Sequence, residues 1–397
     1  MINIKDKTGC CGCSACFNIC PKNAIIMKPD NEGFLYPDIQ EELCVNCGLC
    51  EKVCPIQNPM QEIQKEQTAY LFQNSNDRVR EESTSGGAFT AIGEYVLNRG
   101  GVVVGAAYDE EFRIIHSIAE STFELRKFRN SKYAQSNMQD IYRQIRKLLD
   151  SGRFVCFSGT PCQVEGLLSF LRKKYDNLLC VDIVCHAVPS PKLWEKYLQY
   201  QSSKVKDATN ILFRDKKPYG YKYSSMSIYK GNDVIYRNGV ESDKMLRAFF
   251  SEIADRPSCY DCKFKKRYRE SDITIWDCFE VYRFSQKLDD DKGTTRVLIH
   301  SESGRKVMDE VLKDNISLQV SADALCVGVK EMVFSVKKNP KRDAFFADMD
   351  KLETTEFFNK YFPDDGIMYL KKTARRILII TGLYSFAKKL KQKMKRR

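Results

Sequence analysis

The middle of the chain alternates short apolar runs with amphipathic stretches. The apolar runs are bounded by polar or turn-forming residues, which predicts strands over 70–73, 102–108, 113–118, 154–157, 178–184, 211–213, 273–275 and 296–300. Apolar positions three and four residues apart predict helices over 88–98, 139–149, 163–171, 192–200, 243–253 and 304–312. This alternation predicts a larger α/β domain with a mixed sheet.

The first 58 residues follow a different pattern. Two short strands are predicted over 24–28 and 34–38, and the sequence Asn31-Glu32-Gly33 supplies the turn between them. A polar stretch from Pro59 to about Gln67 is predicted to be a linker. The chain is therefore expected to begin with a small α+β module over 1–58, followed by the α/β domain over 68–345.

Cysteines carry the strongest chemical pattern in this module. Two runs spaced C-x2-C-x2-C-x3-C, each followed by proline, are formed by Cys10, Cys13, Cys16, Cys20 and by Cys44, Cys47, Cys50, Cys54. This is the run of bacterial two-cluster ferredoxins, in which the fourth cysteine binds the other cluster. The predicted ligand sets for two [4Fe-4S] clusters are therefore Cys10, Cys13, Cys16, Cys54 and Cys44, Cys47, Cys50, Cys20.

The alternatives to iron–sulfur clusters explain less of this pattern. Zinc sites usually use paired C-x2-C units or mixtures of cysteine and histidine, which leaves Cys20 and Cys54 without a role. Disulfides suit secreted proteins, and residues 1–13 contain no apolar signal segment. Seventeen cysteines are thus expected in a reducing cytoplasm, and three histidines exclude a histidine-rich metal site.

The basic surplus of the chain is local. The formal net charge is +12, but residues 371–397 contain eleven Lys or Arg and no Asp or Glu, which leaves 53 basic and 52 acidic residues elsewhere. The extension over 346–397 is predicted to carry a basic amphipathic helix from 372 to 397. Its apolar positions on or near one face are Ile377, Ile380, Tyr384, Ala387 and Met394.

Such a helix is expected to make peripheral contact with an anionic membrane surface or with a partner. A solvated, partly frayed tail is the alternative. No run of 18 or more apolar residues predicts a membrane span.

Two loops in the α/β domain have the composition of a cofactor site. The sequence Ser83-Thr84-Ser85-Gly86-Gly87 precedes a predicted helix, where bare backbone N–H groups can bind a flavin or nucleotide phosphate; an ordinary helix cap is the alternative. The sequence 157–163, FSGTPCQ, joins a strand to a helix, with Pro161 in the first turn and Cys162 beside it. A helix N-terminus favours the thiolate of this cysteine.

Four further cysteines are candidates for a third cluster. Cys162 and Cys185 each follow a strand, and Cys259 and Cys262 form a C-x2-C unit on a polar loop. Cys278 competes with Cys162 or Cys185 as a ligand, and both of these can instead be inert thiols. The strand residues Cys156 and Cys180 are expected in the core. His186 is either a proton donor beside a reduced cofactor or a structural residue.

Six ordered segments resemble the β-subunit family of deazaflavin-coenzyme (F-420) hydrogenases and dehydrogenases, here with a fused N-terminal ferredoxin domain. They are STSGGAFT at 83–90, RNSKYAQS at 129–136, FSGTPCQVEGL at 157–167, DIVCHAVPSPKLWEKYL at 182–198, RPSCYDCKFK at 256–265 and SDITIWD at 271–277. Together they cover about residues 68–280. The resemblance includes members from polysaccharide gene clusters.

The resemblance implies FAD, iron–sulfur centres and transfer between ferredoxin-type donors and a two-electron acceptor, the deazaflavin coenzyme among them. It implies that the flavin is lined by Ser85, Gly86, Gly87, Ser131, Lys132, Tyr133, Ser158, Gly159 and Thr160. It also matches Cys162, Cys185, Cys259 and Cys262 to the family's cysteine positions. Trp276 and Cys278 depart from the family pattern, which predicts a narrower pocket and an altered acceptor.

We therefore predict an iron–sulfur flavoprotein oxidoreductase with a ferredoxin or other redox partner protein and a small-molecule substrate, with a role in polysaccharide biosynthesis as one candidate. Lys132 and His186 are the candidates for orienting the acceptor or supplying a proton. The alternative is an electron-transfer adaptor for a partner enzyme, without substrate chemistry of its own. A redox sensor is a third class, although no DNA-reading motif accompanies the basic tail.

Overall fold

The computed structural model describes residues 1–384 and 386–388. The α-helices, numbered in chain order, are α1 (Ala15–Ile19), α2 (Leu49–Lys52), α3 (Asp77–Glu82), α4 (Ala88–Leu97), α5 (Ile141–Asp150), α6 (Pro161–Leu171), α7 (Pro191–Tyr200), α8 (Ser202–Val205), α9 (Lys244–Phe250), α10 (Glu302–Val311), α11 (Ala322–Cys326), α12 (Lys330–Val333), α13 (Arg342–Met349), α14 (Thr354–Tyr361) and α15 (Gly366–Ile380). None of the helices in these ranges is long and apolar enough to cross a bilayer.

The strands form three sheets. They are β1 (Ile25–Pro29), β2 (Leu35–Ile39), β3 (Thr68–Gln73), β4 (Val102–Tyr108), β5 (Ile114–Ala119), β6 (Val155–Gly159), β7 (Leu178–Ile183), β8 (Asn210–Leu212), β9 (Ser225–Lys230), β10 (Asp233–Gly239), β11 (Ile273–Asp277), β12 (Thr295–Ile299) and β13 (Ile316–Val320). The sheet orders are β1-β2, β10-β9-β8 and β13-β3-β12-β11-β7-β6-β4-β5.

The eight-stranded sheet is mixed, which confirms the predicted α/β class. Its centre runs parallel through β4, β6, β7 and β11, and antiparallel strands complete both edges. Gly159 at the end of β6 pairs with Asp182 near the end of β7. The loops after these two buried strands therefore leave the sheet side by side, at the edge where α/β proteins bind ligands.

The N-terminal module has the predicted hairpin. β1 and β2 pair antiparallel from Ile25 with Ile39 to Pro29 with Leu35. Gly33 has φ +83°, and a Cβ on this residue would lie 2.4 Å from Cβ of Lys192. Glycine is thus needed both for the turn and for its close approach to the start of α7.

The sequence patterns did not predict the half-exposed strands. β9 and β10 form a hairpin with β8, so the predicted strand at 211–213 belongs to a separate small sheet. β10 and the edge strand β13 have mostly exposed or half-buried residues. Their pairing partners, rather than their own sequence, fix them as strands.

The C-terminal extension packs on the rest of the chain. Phe345 of α13 and Phe357 of α14 share one hydrophobic core with Trp194 of α7 and with Phe34 of the N-terminal module. The predicted domain boundary at 345 therefore falls inside α13.

The start of the basic tail also forms ion pairs with the α/β domain. Arg375 of α15 forms an ion pair with Glu241, and Lys388 forms one with Asp291. Of the apolar face predicted for the tail, Ile377 and Ile380 are exposed. Tyr384 packs edge-on against Tyr219 at 5.7 Å between ring centroids, and Met394 lies outside the described residues.

Candidate functional site

One cavity of the N-terminal module is lined by the second predicted ligand set. Cys20, Cys44, Cys47 and Cys50 surround it, together with Pro21. Backbone N–H groups point at two of these sulfurs: Ile2 N lies 3.4 Å from Cys50 Sγ, and Ala24 N lies 3.3 Å from Cys20 Sγ. Such donors stabilise thiolate ligands, so the donor set fits a [4Fe-4S] cluster.

The other predicted ligand set also comes together. Burial raises the pKa of the Cys16 thiol, and the neighbouring thiols of Cys10 and Cys54 raise it further. Cys13 lies beside Cys10 and Cys16. Crowded, buried thiols are costly to ionise alone, and a bound metal centre relieves that cost because it takes them up as thiolates.

A third group of cysteines lies at the ligand edge of the large sheet. Cys162 in the first turn of α6 and Cys185 after β7 face one cavity, which Cys259 and Cys262 complete from the loop after Pro257. Burial raises the pKa of Cys185 to about 12, while Lys265 and Arg269 partly offset this with positive charge. The structure thus brings all four predicted cysteines around one space.

The predicted donor set at this cavity consists of four cysteines. Cysteine thiolates are the ligands of [4Fe-4S] clusters, so the set fits such a cluster. Among the described residues, no three His, Cys, Asp or Glu side chains are placed to hold a single metal ion.

The competing cysteine positions are elsewhere. Cys278, directly after β11, is buried in a different hydrophobic cluster, with Leu71 and Leu298. Cys156 and Cys180 are fully buried within the sheet, as expected for core residues. Because Cys278 packs among those apolar side chains, it is not one of the residues that line the third cavity.

An extra cysteine connects the first and third groups. Cys11 has no place in the ferredoxin spacing, and it lines the third cavity beside Cys162. Its thiol interacts with those of Cys13 and Cys162. Sequence spacing gave no sign of this role, since only the docking of the module on α6 brings these residues together.

The N-terminal module packs closely against helix α6. Gly166 lies one turn after Cys162 in α6, and a Cβ on Gly166 would lie 2.9 Å from Cys13 Sγ and 3.0 Å from the Tyr142 hydroxyl. The absence of a side chain at 166 lets the N-terminal module rest directly on the helix that begins the third site.

The predicted flavin loops meet in part. Ser131 N donates to Thr84 Oγ1 at 2.6 Å, which joins the 83–87 loop to the 129–133 loop. Gly86 N donates to Thr295 Oγ1 at 2.8 Å, and a Cβ on Gly86 would lie 2.3 Å from the Phe72 carbonyl oxygen. Both loops therefore lie at the N-terminus of α4, beside the start of β12.

The segment Ser158-Gly159-Thr160 lies closer to the third cavity. Thr160 lines that cavity, with its Oγ1 3.1 Å from Cys162 Sγ. The carbonyl oxygen of Ser158 contacts His116 Nε2 at 3.0 Å. His116 in turn is close enough to Lys132 to feel its charge, so a chain of contacts links this segment to the 129–133 loop.

Lys132 is buried and donates to its own loop. Its Nζ contacts the carbonyl oxygens of Lys127, Arg129 and Asn130 at 3.0–3.3 Å. Burial lowers the pKa of Lys132 to about 7. A lysine with this pKa can release or take up a proton near neutral pH.

His186 lies at the mouth of the third cavity. Its Nε2 is 3.5 Å from Glu252 Oε1, and burial lowers the pKa of its imidazole. Its ring centroid is 5.4 Å from that of Phe249, which stacks on Tyr133 at 4.1 Å. These rings form a row from the third cavity to the predicted flavin loops.

A polar network that sequence analysis missed joins these loops. Arg214 Nη1 donates to Tyr133 Oη and to Asp277 Oδ2, both at 3.3 Å, and Tyr221 donates to Asp277 Oδ1 at 2.8 Å. Arg214 Nη2 is buried and has no hydrogen-bond partner within the described residues. An unpaired buried guanidinium nitrogen is suited to an anionic group of a ligand. Asp277 ends the SDITIWD segment, whereas nothing in the sequence around Arg214 marked it.

The chain matches two parts of one family model and a separate iron–sulfur model. Residues 69–143 match the N-terminal part of the coenzyme F420 hydrogenase/dehydrogenase beta subunit, and residues 152–323 match its C terminus. Residues 9–58 match a 4Fe-4S dicluster domain. The chain therefore belongs to the coenzyme F420 hydrogenase/dehydrogenase beta-subunit family and carries an N-terminal dicluster domain, which confirms the predicted resemblance.

Individual relatives are distant. The chain is 24% identical over 336 residues to the coenzyme F420-dependent sulfite reductase of Methanocaldococcus jannaschii, covering 80% of this chain and 48% of the relative. It is 21% identical over 233 residues to one of the subunits of the F(420)H(2) dehydrogenase of Methanosarcina mazei, covering 53% of this chain and 64% of the relative. The chain thus spans about half to two thirds of the length of these relatives, which are an oxidoreductase and a component of one.

Two further similarities concern parts of the chain. Over 52 residues, 13% of this chain, it is 38% identical to an uncharacterised ferredoxin of Methanocaldococcus jannaschii, of which the match covers 66%. A chain of the F420-reducing [NiFe] hydrogenase complex from Methanosarcina barkeri superposes with a TM-score of 0.43 and 14% identity, covering 76% of this chain and 94% of that chain. The ferredoxin match agrees with the dicluster domain.

Proposed function

We propose that the chain is an iron–sulfur flavoprotein oxidoreductase that passes electrons from a ferredoxin-type donor, through [4Fe-4S] clusters and FAD, to an organic substrate or coenzyme. The packing of Cys13 on Gly166 of α6 carries this proposal. It puts a predicted ligand of the dicluster domain one helical turn from Cys162. The cysteine sites of both parts of the chain are thus neighbours, as electron transfer within one protein requires.

The third cluster is assigned to Cys162, Cys185, Cys259 and Cys262. Their shared cavity and their burial support this assignment. Lys265 and Arg269 line the same cavity and offset the negative charge that four thiolates bring. Cys11 lies between this site and Cys13, and therefore fills the space through which the two sites contact each other.

FAD is assigned to the joined loops at the N-terminus of α4. Ser85, Gly86, Gly87 and Ser131 lie on these joined loops and would line it together with Tyr133. The unpaired Nη2 of Arg214 supports an anionic ligand there, such as a flavin phosphate. When bound, FAD supplies the ability to accept single electrons and to deliver two together.

The acceptor side is assigned to Lys132 and His186. A lysine with a pKa of about 7 suits proton delivery, and His186 ends the ring row that leads from the third cavity to Tyr133. The names of two relatives make the deazaflavin coenzyme F420 a candidate acceptor. A polysaccharide intermediate remains a prediction from sequence resemblance alone.

Anaerobic iron, sulfide and flavin analysis of the purified protein tests this proposal. We expect about twelve iron atoms, four for each of three clusters, and one FAD per chain. The variant Cys259→Ser should lose about four iron atoms, whereas the matched variant Cys278→Ser should lose none, because Cys278 is buried away from the cavity. Full iron in Cys259→Ser would remove the third cluster from the proposal.

Flavin content decides between the proposed function and its alternative. Iron without bound FAD, also after reconstitution with FAD, would contradict the reductase and leave an electron-transfer adaptor. The exposure of Cys47 at the second dicluster site is compatible with both, because an entering electron needs an accessible cluster in either case.

We also propose peripheral membrane contact through α15. This helix exposes Ile367, Leu370, Ile377 and Ile380 together with Lys371, Lys372 and Arg376. Exposed apolar residues beside lysines and arginines suit an anionic lipid surface. The protein should co-sediment with phosphatidylglycerol vesicles and not with phosphatidylcholine vesicles, and reversal of these three charges to Glu should abolish it. No binding to either lipid would exclude this contact, and equal binding to both would exclude its dependence on anionic lipid.

A further inference from the structure

Arg256 is a buried cation, and no carboxylate among the described residues forms a hydrogen bond or an ion pair with it. Its side chain is completely buried. Its side-chain nitrogens contact two carbonyl oxygens, one amide oxygen and the sulfur of Cys10. A buried guanidinium is costly unless a negative charge lies near it, so this position implies an anion that the protein alone does not provide.

The hydrogen bonds of Arg256 show where that anion belongs. Nε donates to the carbonyl oxygen of Cys10 at 2.8 Å, and Nη2 lies 3.4 Å from Cys10 Sγ. Nη2 also donates to the Leu35 carbonyl oxygen at 2.9 Å, and Nη1 donates to Gln135 Oε1 at 2.8 Å. All partners other than the sulfur are neutral. Negative charge at the Cys10 sulfur, as a ligand of the proposed cluster, would therefore offset the charge of the guanidinium.

The surroundings fix the guanidinium in this position. It lies over the Tyr36 ring at 4.4 Å and over the Phe34 ring at 5.3 Å. A Cβ on Gly12 would lie 2.8 Å from Nη1, and Gly12 has φ +73°. The absence of a side chain at Gly12 thus leaves room for Arg256 beside the cysteine loop. The planar guanidinium of arginine fits this space, whereas the ammonium group of a lysine would not.

The backbone of Arg256 belongs to the third site. Its carbonyl oxygen accepts from Cys259 N at 2.8 Å, and its N–H donates to the Val188 carbonyl oxygen at 3.0 Å. One residue therefore shapes the turn that carries Cys259 and reaches across the domain contact to Cys10.

We propose that Arg256 raises the reduction potential of the cluster held by Cys10, Cys13, Cys16 and Cys54, and so makes that potential depend on docking of the ferredoxin module. The inference rests on the proposed cluster ligands. Reduction adds one electron to an already anionic cluster, and a nearby positive charge and a hydrogen bond to a ligand sulfur stabilise the more negative state. The electron comes from the ferredoxin-type donor, and no bond is broken.

EPR-monitored redox titration of the holoprotein tests this. In Arg256→Lys and Arg256→Met we expect one of the dicluster centres to become harder to reduce. At a fixed potential its reduced-to-oxidised ratio should fall about tenfold in Arg256→Met, which corresponds to about 59 mV for one electron. The shift should be smaller in Arg256→Lys, which keeps a charge and loses the fork.

Arg342→Gln is the matched control. Arg342 is also buried at the contact of the ferredoxin module, where it pairs with Glu32 at 2.6 Å, but it does not contact Cys10. Its loss should weaken docking and leave the potential within about twofold of the wild-type ratio while the module stays docked. With the module still docked, an equal shift in Arg342→Gln and Arg256→Met would overturn a direct role of Arg256.

A measurement on the wild-type protein covers the case in which Arg256 variants do not fold. With 15N-arginine labelling, pulsed EPR of the reduced wild-type protein should show coupling of a 15N nucleus to one dicluster centre. The coupling should persist in Arg143→Lys, which removes an arginine that contacts the carbonyl oxygen of Cys20. No 15N coupling, with cluster signals present, would overturn the inference. No cluster signals at all, together with low iron content, would instead contradict the proposed function.

Discussion

At the residue scale, Gly12 is required by the side chain that reaches past it. Its φ of +73° disfavours other residues, and a Cβ would meet Arg256 Nη1 and Gln135 Nε2, both at 2.8 Å. Gly12→Ala should therefore destabilise the protein by about 1–3 kcal/mol and lower its iron content. Gly9→Ala is the control, because no atom lies within 4 Å of a Cβ there. Denaturant unfolding and iron analysis measure both, and equal behaviour would contradict the contact.

Asp255 gives a residue-scale prediction of pH dependence. The carboxyl is buried without a hydrogen-bond partner among the described residues, and burial, followed by repulsion from Glu252, raises the pKa of Asp255 to about 7. An unfolded aspartate has a pKa of about 3.9. Between these values the folded state keeps a proton that the unfolded state loses, so this group's contribution to stability falls as pH rises from about 4 to 7.

The variant Asp255→Asn removes that titration. Its free energy of unfolding relative to wild type should increase from pH 5 to pH 8, by on the order of 1–3 kcal/mol. Denaturant unfolding at four pH values measures the difference. A difference that does not change with pH would mean that Asp255 does not titrate in this range.

At the scale of elements, the ferredoxin hairpin is part of the main core. Phe34, directly before β2, is fully buried with Trp194 and Phe346, although its neighbours in sequence belong to the cysteine module. Phe34→Ala should cost about 3–5 kcal/mol, as expected for a large buried aromatic. Ile26→Ala in the same hairpin is the control, because Ile26 is exposed and should change stability by about 0.5 kcal/mol or less. Urea unfolding followed by tryptophan fluorescence distinguishes them, and a small effect of Phe34→Ala would mean that the module unfolds independently.

Sequence patterns predicted the elements whose own residues decide their structure. The apolar runs of β4, β6 and β7 and the amphipathic α5 and α7 lie within a few residues of the predicted ranges. The β9–β10 hairpin was not predicted, and its outer strand β10 is mostly exposed or half-buried. The predicted boundary at 345 falls inside α13, whose burial depends on a distant partner, Phe34. Burial against remote elements leaves little periodicity within the segment itself.

In the candidate site, too, local patterns predicted only what neighbouring residues determine. Spacing alone grouped the eight dicluster cysteines into two predicted sets, since the fourth cysteine of each run is assigned to the other cluster. Four separated cysteines needed the sheet topology to bring them together. The positions of Cys11, Arg214 and Arg256 depend on contacts across domains, and no local pattern contains that information.

At the scale of the whole molecule, the N-terminal module is packed against the rest of the chain. The dicluster domain contacts the rest of the chain at three places. Cys13 packs against Gly166, and Arg256 donates to the sulfur of Cys10. Glu32 forms an ion pair with Arg342. Contacts at three separate places hold the module in one orientation. Under the proposed function, this arrangement gives electrons a continuous path from the first cysteine site to the third, and onward along His186, Phe249 and Tyr133.

Anaerobic stopped-flow reduction by a reduced bacterial-type ferredoxin tests this path most directly, with the flavin absorbance as the readout. The account predicts that the flavin of the wild-type protein is reduced, and that Cys162→Ser with bound FAD is reduced at least about tenfold more slowly because it lacks the connecting site. Reduction of the iron–sulfur signals while the flavin stays oxidised, or equal flavin reduction in both proteins, would contradict it.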